Sequence, residues 1–248
     1  MKALGVSVGT ARVKAFIWQH LLLLASLFVM TLGVVLCLKS ALGSSTISSI
    51  PYVMTLAGDI GKVPALSVGN YTILMNFLFV GLQVIVLRRR FEPVQLFQLA
   101  VGFLFGWFID LNMWILSWLD CTALTSQAFC QLLGCTVLGL GIAFEVKCGS
   151  VTMPGEGISM SLSLVTGKPF AKVKIFVDST LVVIAVALGY LFFGKWMGQV
   201  IGVGTLFAMV YVGLVVKFVT PRIKWFDSIV ATPGFRRYLF GIIRRFRS

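Results

Sequence analysis

The sequence "GSVTMPGEG" occupies Gly149–Gly157 and interrupts a strongly apolar part of the chain with three glycines, a proline and a glutamate. We call this stretch the second break. Glycine and proline in this density disfavour a continuous helix. In an apolar chain, such a break indicates either a functional site or a surface loop.

The composition of the whole chain predicts an integral membrane protein. Of its 248 residues, 58% are hydrophobic and 12% are charged, whereas a soluble domain has about 25% charged residues. The formal net charge is +13. The basic residues lie between and after the apolar segments, a pattern that reports membrane orientation and argues against a nucleic-acid partner.

Six apolar segments are long enough to cross a bilayer, which needs about 20 residues per helix. With the N-terminus inside, 18 of the 21 Lys and Arg residues fall on the inner side. We therefore expect a multi-pass inner-membrane protein with both termini in the cytoplasm. The predicted spans are His20–Leu38, Ser67–Leu87, Gln95–Leu119, Phe129–Val146, Ala171–Phe193 and Gln199–Val219.

The C-terminal tail, residues 220–248, is predicted to be a basic amphipathic helix. Within "GFRRYLFGIIRRFR" (Gly234–Arg247), apolar residues recur at helical spacing while arginines lie mostly on the other face. Such a helix lies on a bilayer with an anionic inner leaflet. A simple anchoring role and a regulatory or partner-binding role both fit the pattern.

An internal repeat relates the two halves of the chain. A shift of 106 residues aligns Leu32–Lys62 with Leu138–Lys168 without a gap, and the identities include glycines, a threonine and a final Gly-Lys pair. The second break therefore has a counterpart, "GSSTISSIP" (Gly43–Pro51), which we call the first break. Chance alignment of apolar residues is the alternative explanation.

The repeat predicts the fold class: an all-α membrane protein with six transmembrane helices in a 3+3 inverted repeat. Because each unit has an odd number of spans, the second unit is inverted in the membrane, as in many secondary transporters. The expected parts are a cytoplasmic N-terminus (1–19), repeat unit 1 (20–119), an external loop (120–128), repeat unit 2 (129–219) and the tail.

Each break is followed by an apolar segment too short to span the bilayer: Tyr52–Gly58 and Ile158–Val165. Their length suits re-entrant half-helices, and Pro51 and Pro154 lie where a first helical turn tolerates proline. Two inverted half-helices beginning near the midplane would point free N–H groups and positive dipole ends at a polar or anionic ligand. The alternative is a pair of surface loops with interfacial helices.

The polar residues of the two breaks, with Asp110 and Asn112 in the third span, are the candidate substrate-binding residues. Glu156 and Asp178 are the candidate proton-coupling residues, because acids within a membrane are costly and usually functional. Glu156 could equally cap a helix at the cytoplasmic surface, and Asp178 could pair with Lys174 one turn away. The candidates in the breaks are Ser44, Ser45, Thr46, Ser48, Ser49, Ser150, Thr152, Met153, Gly155 and Glu156.

Other residue types add little chemistry. Cys121 and Cys130 bracket the predicted external loop, where a disulfide is chemically permitted, and the sequence leaves open whether they are bridged. One histidine makes no metal site, and no phosphate loop, nucleophile elbow or zinc spacing occurs. We therefore expect no enzyme activity, no metal and no cofactor.

Several short motifs resemble one known family. The motifs "MPGEG" (Met153–Gly157), "KIFVD" (Lys174–Asp178), "GVGT" (Gly202–Thr205) and "FGWFIDL" (Phe105–Leu111) are similar to those of the YczE/YyaS/YitT family of bacterial integral membrane proteins. The resemblance covers roughly residues 20–220 and implies a bacterial cytoplasmic membrane. It implies little about substrate, and this chain ends in a basic tail where YitT-like members carry a soluble domain.

The function that these patterns favour is a secondary transporter or exporter of a small polar metabolite, an anion being one candidate. The site would lie between the two inverted units near the midplane. A passive channel built on the same half-helices and a non-transport accessory subunit of a membrane complex are the alternatives. The expected partners are the small-molecule substrate and the lipid bilayer, and glycines on several faces are compatible with a homodimer.

Overall fold

The computed structural model describes residues 3–148 and 152–223, and all regular secondary structure in these ranges is helical. The tail beyond residue 223, with its predicted amphipathic helix, lies outside the described residues, as does Ser150. The helices are α1 (Ala3–Lys39), α2 (Ser49–Asp59), α3 (Val68–Leu87), α4 (Phe97–Ile115), α5 (Leu124–Cys148), α6 (Pro154–Thr166), α7 (Phe170–Phe193) and α8 (Val203–Val219).

Five of these helices are long and apolar enough to cross a membrane: α1 over Trp18–Lys39, α3, α4, α5 and α7. They correspond to the first five predicted spans, with ends that differ by a few residues. The predicted membrane class is therefore confirmed. The helix α1 also extends back to Ala3, so the described N-terminal residues continue the first span as helix.

The predicted span Gln199–Val219 begins later than expected. Gly202 has an extended backbone (φ −136°, ψ −163°) and α8 begins at Val203, which leaves 17 helical residues. The Gly204 N–H donates to the Leu42 carbonyl at 2.8 Å. The start of α8 is thus held by Leu42, the residue directly before the first break.

The two short helices occur where the breaks predict them. The helix α2 has 11 residues with Pro51 in its first turn, and α6 has 13 residues and begins at Pro154. Gly61 (φ +72°) and Gly167 (φ +68°) follow their C-terminal ends in the left-handed conformation that glycine tolerates best. These two glycines are 106 residues apart.

The centre of the molecule is the contact between α1 and α5, the most extensive contact between two helices. Glycines permit it: a Cβ on Gly134 would lie 2.9 Å from the Cys37 nitrogen, and one on Gly141 would lie 2.6 Å from the Met30 nitrogen. Small residues at helix contacts are typical of membrane proteins, where close backbone approach replaces the hydrophobic effect.

The order of helices in the first half of the chain recurs in the second half, so that α1 to α4 correspond to α5 to α8. With the 106-residue shift, the start of α4 falls on the start of α8 and the end of α3 falls on the end of α7. Contacts between helices match in the same way: α3 packs on α6 as α7 packs on α2, and α1 packs on α4 as α5 packs on α8.

The α3–α4 contact departs most from this correspondence. The helix α3 packs extensively along α4, whereas α7 and α8 share at most a marginal contact in the described residues. The α3–α4 contact is close because Gly69 and Gly106 face each other, and a Cβ on Gly106 would lie 2.5 Å from the Gly69 carbonyl oxygen. The space between α7 and α8 contributes to the site described below.

Candidate functional site

The first break is fixed by backbone groups of the chain that leads into α8. The Ser44 N–H and hydroxyl both donate to the Val200 carbonyl, each at 2.9 Å. A Cβ on Gly43, whose φ is +132°, would collide with Thr205. The first break therefore lies against the N-terminal end of α8 and is not a surface loop.

The second break is fixed by buried polar side chains on three helices. The Met153 N–H donates to Glu145 Oε1 at 3.1 Å, and Gln83 Nε2 donates to the Pro154 carbonyl at 3.2 Å and to Gln98 Oε1 at 2.9 Å. Glu145 lies on α5, Gln83 on α3 and Gln98 on α4. Together they hold the start of α6.

The two breaks meet inside the protein. A Cβ on Gly155, in the first turn of α6, would lie 3.1 Å from Ile47 Cδ1 in the first break. Ile47 and Ile50 pack on a buried cluster that includes Ile158 of α6 and Phe79 of α3. The N-terminal ends of the two short helices are thus brought close together.

A cavity of about 390 Å³ lies beside this meeting point. One side of it is polar, formed by the first break, α3, α6 and the first turns of α7. The other side is apolar, formed by α1, α4, α5 and α8, with Val34, Ile109, Leu138 and Val212 among its residues. The polar groups that line it are Ser45, Thr46, Ser48, Thr72, Glu156, Lys174 and Asp178.

Two of the three charged lining residues form an ion pair. Lys174 Nζ lies 3.1 Å from Asp178 Oδ1, and the two side chains are 24% and 17% exposed. The pairing expected from the one-turn spacing is therefore present, but it faces the cavity. Glu156 is the lining acid outside this pair, and its carboxylate is within electrostatic range of both members.

Six predicted site residues line this cavity: Ser45, Thr46, Ser48, Met153, Glu156 and Asp178. The other described residues of the breaks lie nearby without lining it. Ser44 and Ser49 are buried and bond to backbone carbonyls, Gly155 contacts Ile47, and Thr152 is half-buried.

Asp110 and Asn112 are held elsewhere. Asp110 accepts hydrogen bonds from the Ser67 hydroxyl (2.6 Å) and the Gly69 N–H (2.9 Å), so it caps the start of α3. Asn112 Nδ2 donates to Thr31 Oγ1 on α1 at 2.9 Å. Neither residue lines the cavity, because Asp110 faces α3 and Asn112 faces α1.

Glu145, near the end of the fourth predicted span, holds the start of α6 beside the cavity without lining it. It is 4% exposed, and its Oε2 has no hydrogen-bond partner in the described structure. The charge of Glu156 acts on it. Its counterpart 106 residues earlier is Lys39, so the repeat does not predict an acid with this role.

The cysteine pair at the predicted external loop is close in space. Cys121 Sγ and Cys130 Sγ lie 2.7 Å apart as free thiols, a separation that permits the disulfide that the sequence leaves open. Within the described ranges, no group of three or more His, Cys, Asp or Glu residues could hold a metal ion.

These features define a membrane protein that is helical over the described residues and has a partly charged cavity beside the two breaks. The chain belongs to a family of unknown function, DUF6198, whose sequence profile matches residues 17–221. It is 27% identical over 200 residues to the uncharacterized membrane protein YczE of Bacillus subtilis (strain 168), covering 80% of this chain and 83% of that protein. The predicted YczE-like family is thus confirmed. No solved structure matches the chain.

Proposed function

We propose that the protein is a secondary transporter whose solute site is the cavity between the two breaks. The observation that supports this most is the convergence of both breaks on one cavity, which carries hydroxyls, an ion pair and a further acid in an otherwise apolar wall. Intramembrane acids beside a cavity are typical of ion- and proton-coupled carriers.

A 3+3 inverted repeat is part of this proposal. The gapless 106-residue register of helix ends and the matched helix contacts support it. In this arrangement α8 acts as the sixth span despite its 17 residues, and both termini lie in the cytoplasm. Thr72 on α3 and Asp178 on α7 are 106 residues apart and both line the cavity, as expected for a site on a pseudo-two-fold axis.

Within this site, each polar group has a distinct role. The hydroxyls of Ser45, Thr46 and Ser48 bind the polar part of the solute. Glu156, in the first turn of α6, exchanges a proton or holds a cationic group of the solute. Asp178, paired with Lys174, is the second candidate acid for proton coupling. No covalent chemistry is required, which is in keeping with a carrier and not an enzyme.

Ligand-dependent thermal stability of purified protein tests this function. A few hundred metabolites would be screened at two pH values with wild type, Glu156→Gln and the matched control Glu92→Gln, since Glu92 is exposed and does not line the cavity. We expect a solute that stabilises wild type and the control but stabilises Glu156→Gln less or without pH dependence.

Solute flux into proteoliposomes then distinguishes a carrier from a passive channel. A carrier gives saturable uptake and exchange of labelled for unlabelled solute, whereas a passive channel gives unsaturable flux that never accumulates solute against a gradient. If no compound stabilises the protein and truncation of the tail beyond residue 223 abolishes function while Glu156→Gln does not, the accessory-subunit alternative replaces the proposal.

A further inference from the structure

The sequence differs between the helix pair α3–α4, which is in close contact, and the helix pair α7–α8, which is separated by a gap. In unit 1, Gly69 and Gly106 bring the backbones of α3 and α4 into contact. The residues 106 positions later are Ile175 and Val212, and both line the cavity. Branched side chains at both positions prevent α7 from approaching α8 as closely as α3 approaches α4.

A third glycine of the α3–α4 contact is also replaced by a larger residue in unit 2. Gly102 of α4 lies against Asn76 of α3, and a Cβ on Gly102 would be 2.8 Å from the Asn76 Cβ. Its counterpart in α8 is Ala208, another cavity-lining residue. The three glycines of the α3–α4 contact are thus replaced by larger residues in unit 2, so an equally close contact between α7 and α8 is disfavoured.

The surroundings of this gap are apolar on both sides. On α7, Ile175 is 62% exposed and Phe176 is 68% exposed, and on α8 Met209 is 37% exposed and Val210 is 65% exposed. In a membrane-spanning helix, exposed side chains of this kind face hydrocarbon. The cavity therefore opens toward the acyl chains of the bilayer.

The charges at the polar side of the cavity have an acidic excess. Two acids, Glu156 and Asp178, line it with one base, Lys174, and the buried Glu145 carboxyl lies behind Glu156 within electrostatic range. Glu156 in the first turn of α6 already provides the negative charge that a helix N-terminus favours. A head group that complements this acidic excess therefore carries a positive charge.

We infer that the solute is a single-chain amphiphile with a protonated amine in its head group, which enters from the bilayer between α7 and α8. The head group binds at Glu156 and the hydroxyls of the first break, and the chain lies along the apolar wall formed by α1, α5 and α8. This inference rests on the proposed function, and it replaces the small polar metabolite expected from the sequence with a membrane-borne amine.

Photo-crosslinking in nanodiscs of phosphatidylglycerol, a lipid without an amine, tests this inference. The probe is a dodecylamine with a terminal diazirine, and the comparison probes are a dodecanoate and a butylamine carrying the same group. Crosslinked residues are mapped by peptide mass spectrometry. We expect the dodecylamine probe to label cavity residues of α5 and α8, and the other two probes to label them roughly tenfold less, because a charge-assisted contact or the apolar chain is missing.

Gly213 offers a variant that blocks the gap without disturbing packing. It is exposed, lines the cavity, and has nothing within 4 Å of an added Cβ. Gly81 on α3 is equally open but lies outside the cavity lining. We expect Gly213→Trp to abolish cavity labelling and Gly81→Trp to leave it unchanged, with Gly213→Leu as a smaller substitution if the tryptophan variant does not fold.

The outcomes separate the substrate class from the function itself. Cavity labelling that persists in Gly213→Trp, or equal labelling by the dodecanoate probe, would overturn the inference. If the probes label only lipid-facing residues while a water-soluble metabolite stabilises wild type through Glu156, the proposed transport function is supported and the amphiphilic substrate is refuted. If neither probe nor metabolite binds the cavity, both fail.

Discussion

Glu145 on α5 forms a hydrogen bond to the second break with one carboxylate oxygen, while its other carboxylate oxygen has no hydrogen-bond partner in the described structure. Its Oε1 accepts the Met153 N–H at 3.1 Å, while Oε2 is buried without a hydrogen-bond partner among the described groups. Burying a charged carboxylate without a partner is costly. The contribution of Glu145 to folding is therefore the acceptor that it offers to the start of α6, and its charge opposes that contribution.

Two substitutions separate the acceptor from the charge. Glu145→Gln keeps an oxygen for the Met153 N–H and removes the charge, so we expect thermal stability equal to or above that of wild type. Glu145→Leu leaves the N–H without an acceptor and should cost about 1–3 kcal/mol. Thermal unfolding in detergent measures both, and a leucine variant as stable as the glutamine variant would contradict this role.

The roles of individual acids could be predicted from the sequence only in part. Lys174 and Asp178 lie one turn apart on a helix, and local spacing sufficed to predict their pairing. Asp110 and Glu145 act on backbone N–H groups of other elements, at the starts of α3 and α6. These partners depend on how the helices pack against one another. The sequence around Asp110 or Glu145 does not reveal that packing.

At the scale of helices, glycine placement decides which pairs pack closely. Gly69→Ala should destabilise the protein by roughly 1–3 kcal/mol, because the new methyl group would meet the Gly106 backbone, which cannot move aside as a side chain can. Gly81→Ala, at an open position on the same helix, is the matched control. We expect it to be neutral or to stabilise α3 by about 0.5–1 kcal/mol.

Unfolding midpoints of the two variants, measured side by side by intrinsic fluorescence, give the comparison. Equal midpoints for Gly69→Ala and Gly81→Ala would show that the α3–α4 contact relaxes easily. In that case the difference between the α3–α4 contact and the α7–α8 gap would need another cause.

The helices themselves were largely predictable, and their relative packing was not. The breaks, the short helices and the first five spans follow from glycine, proline and apolar run length. The start of α8 at Val203 depends on the hydrogen bond from Gly204 to Leu42, 162 residues earlier in the chain. The α7–α8 gap is visible in the sequence only after Ile175 and Val212 are compared with two glycines whose contact the structure reveals.

At the scale of the molecule, the inverted repeat makes a direct topological prediction. Lys62 and Lys168 are 106 residues apart, exposed, and each follows the glycine after a short helix. If the units are inverted, the two positions lie on opposite sides of the membrane. We expect Lys62→Cys to react with an impermeant maleimide in intact cells and Lys168→Cys to react only after permeabilisation.

Both variants would be made in a background whose five native cysteines are replaced by alanine, with a buried-position variant such as Val53→Cys as the unreactive control. Labelling of both lysine positions from the same side would refute the inverted repeat. Reversal of the two sides would keep the repeat and change the orientation of the whole chain.

The glycine-lined contact of α1 with α5 has a consequence for biosynthesis. The helix α1 ends at Lys39 and α5 begins at Leu124, so α1 enters the bilayer long before its main partner is synthesised. Until then lipid tails must cover a face shaped for another backbone, and they fill glycine grooves poorly. The face of α1 that packs against α5 is thus exposed to lipid during translation. The first unit reaches its final packing only after the second unit has been synthesised.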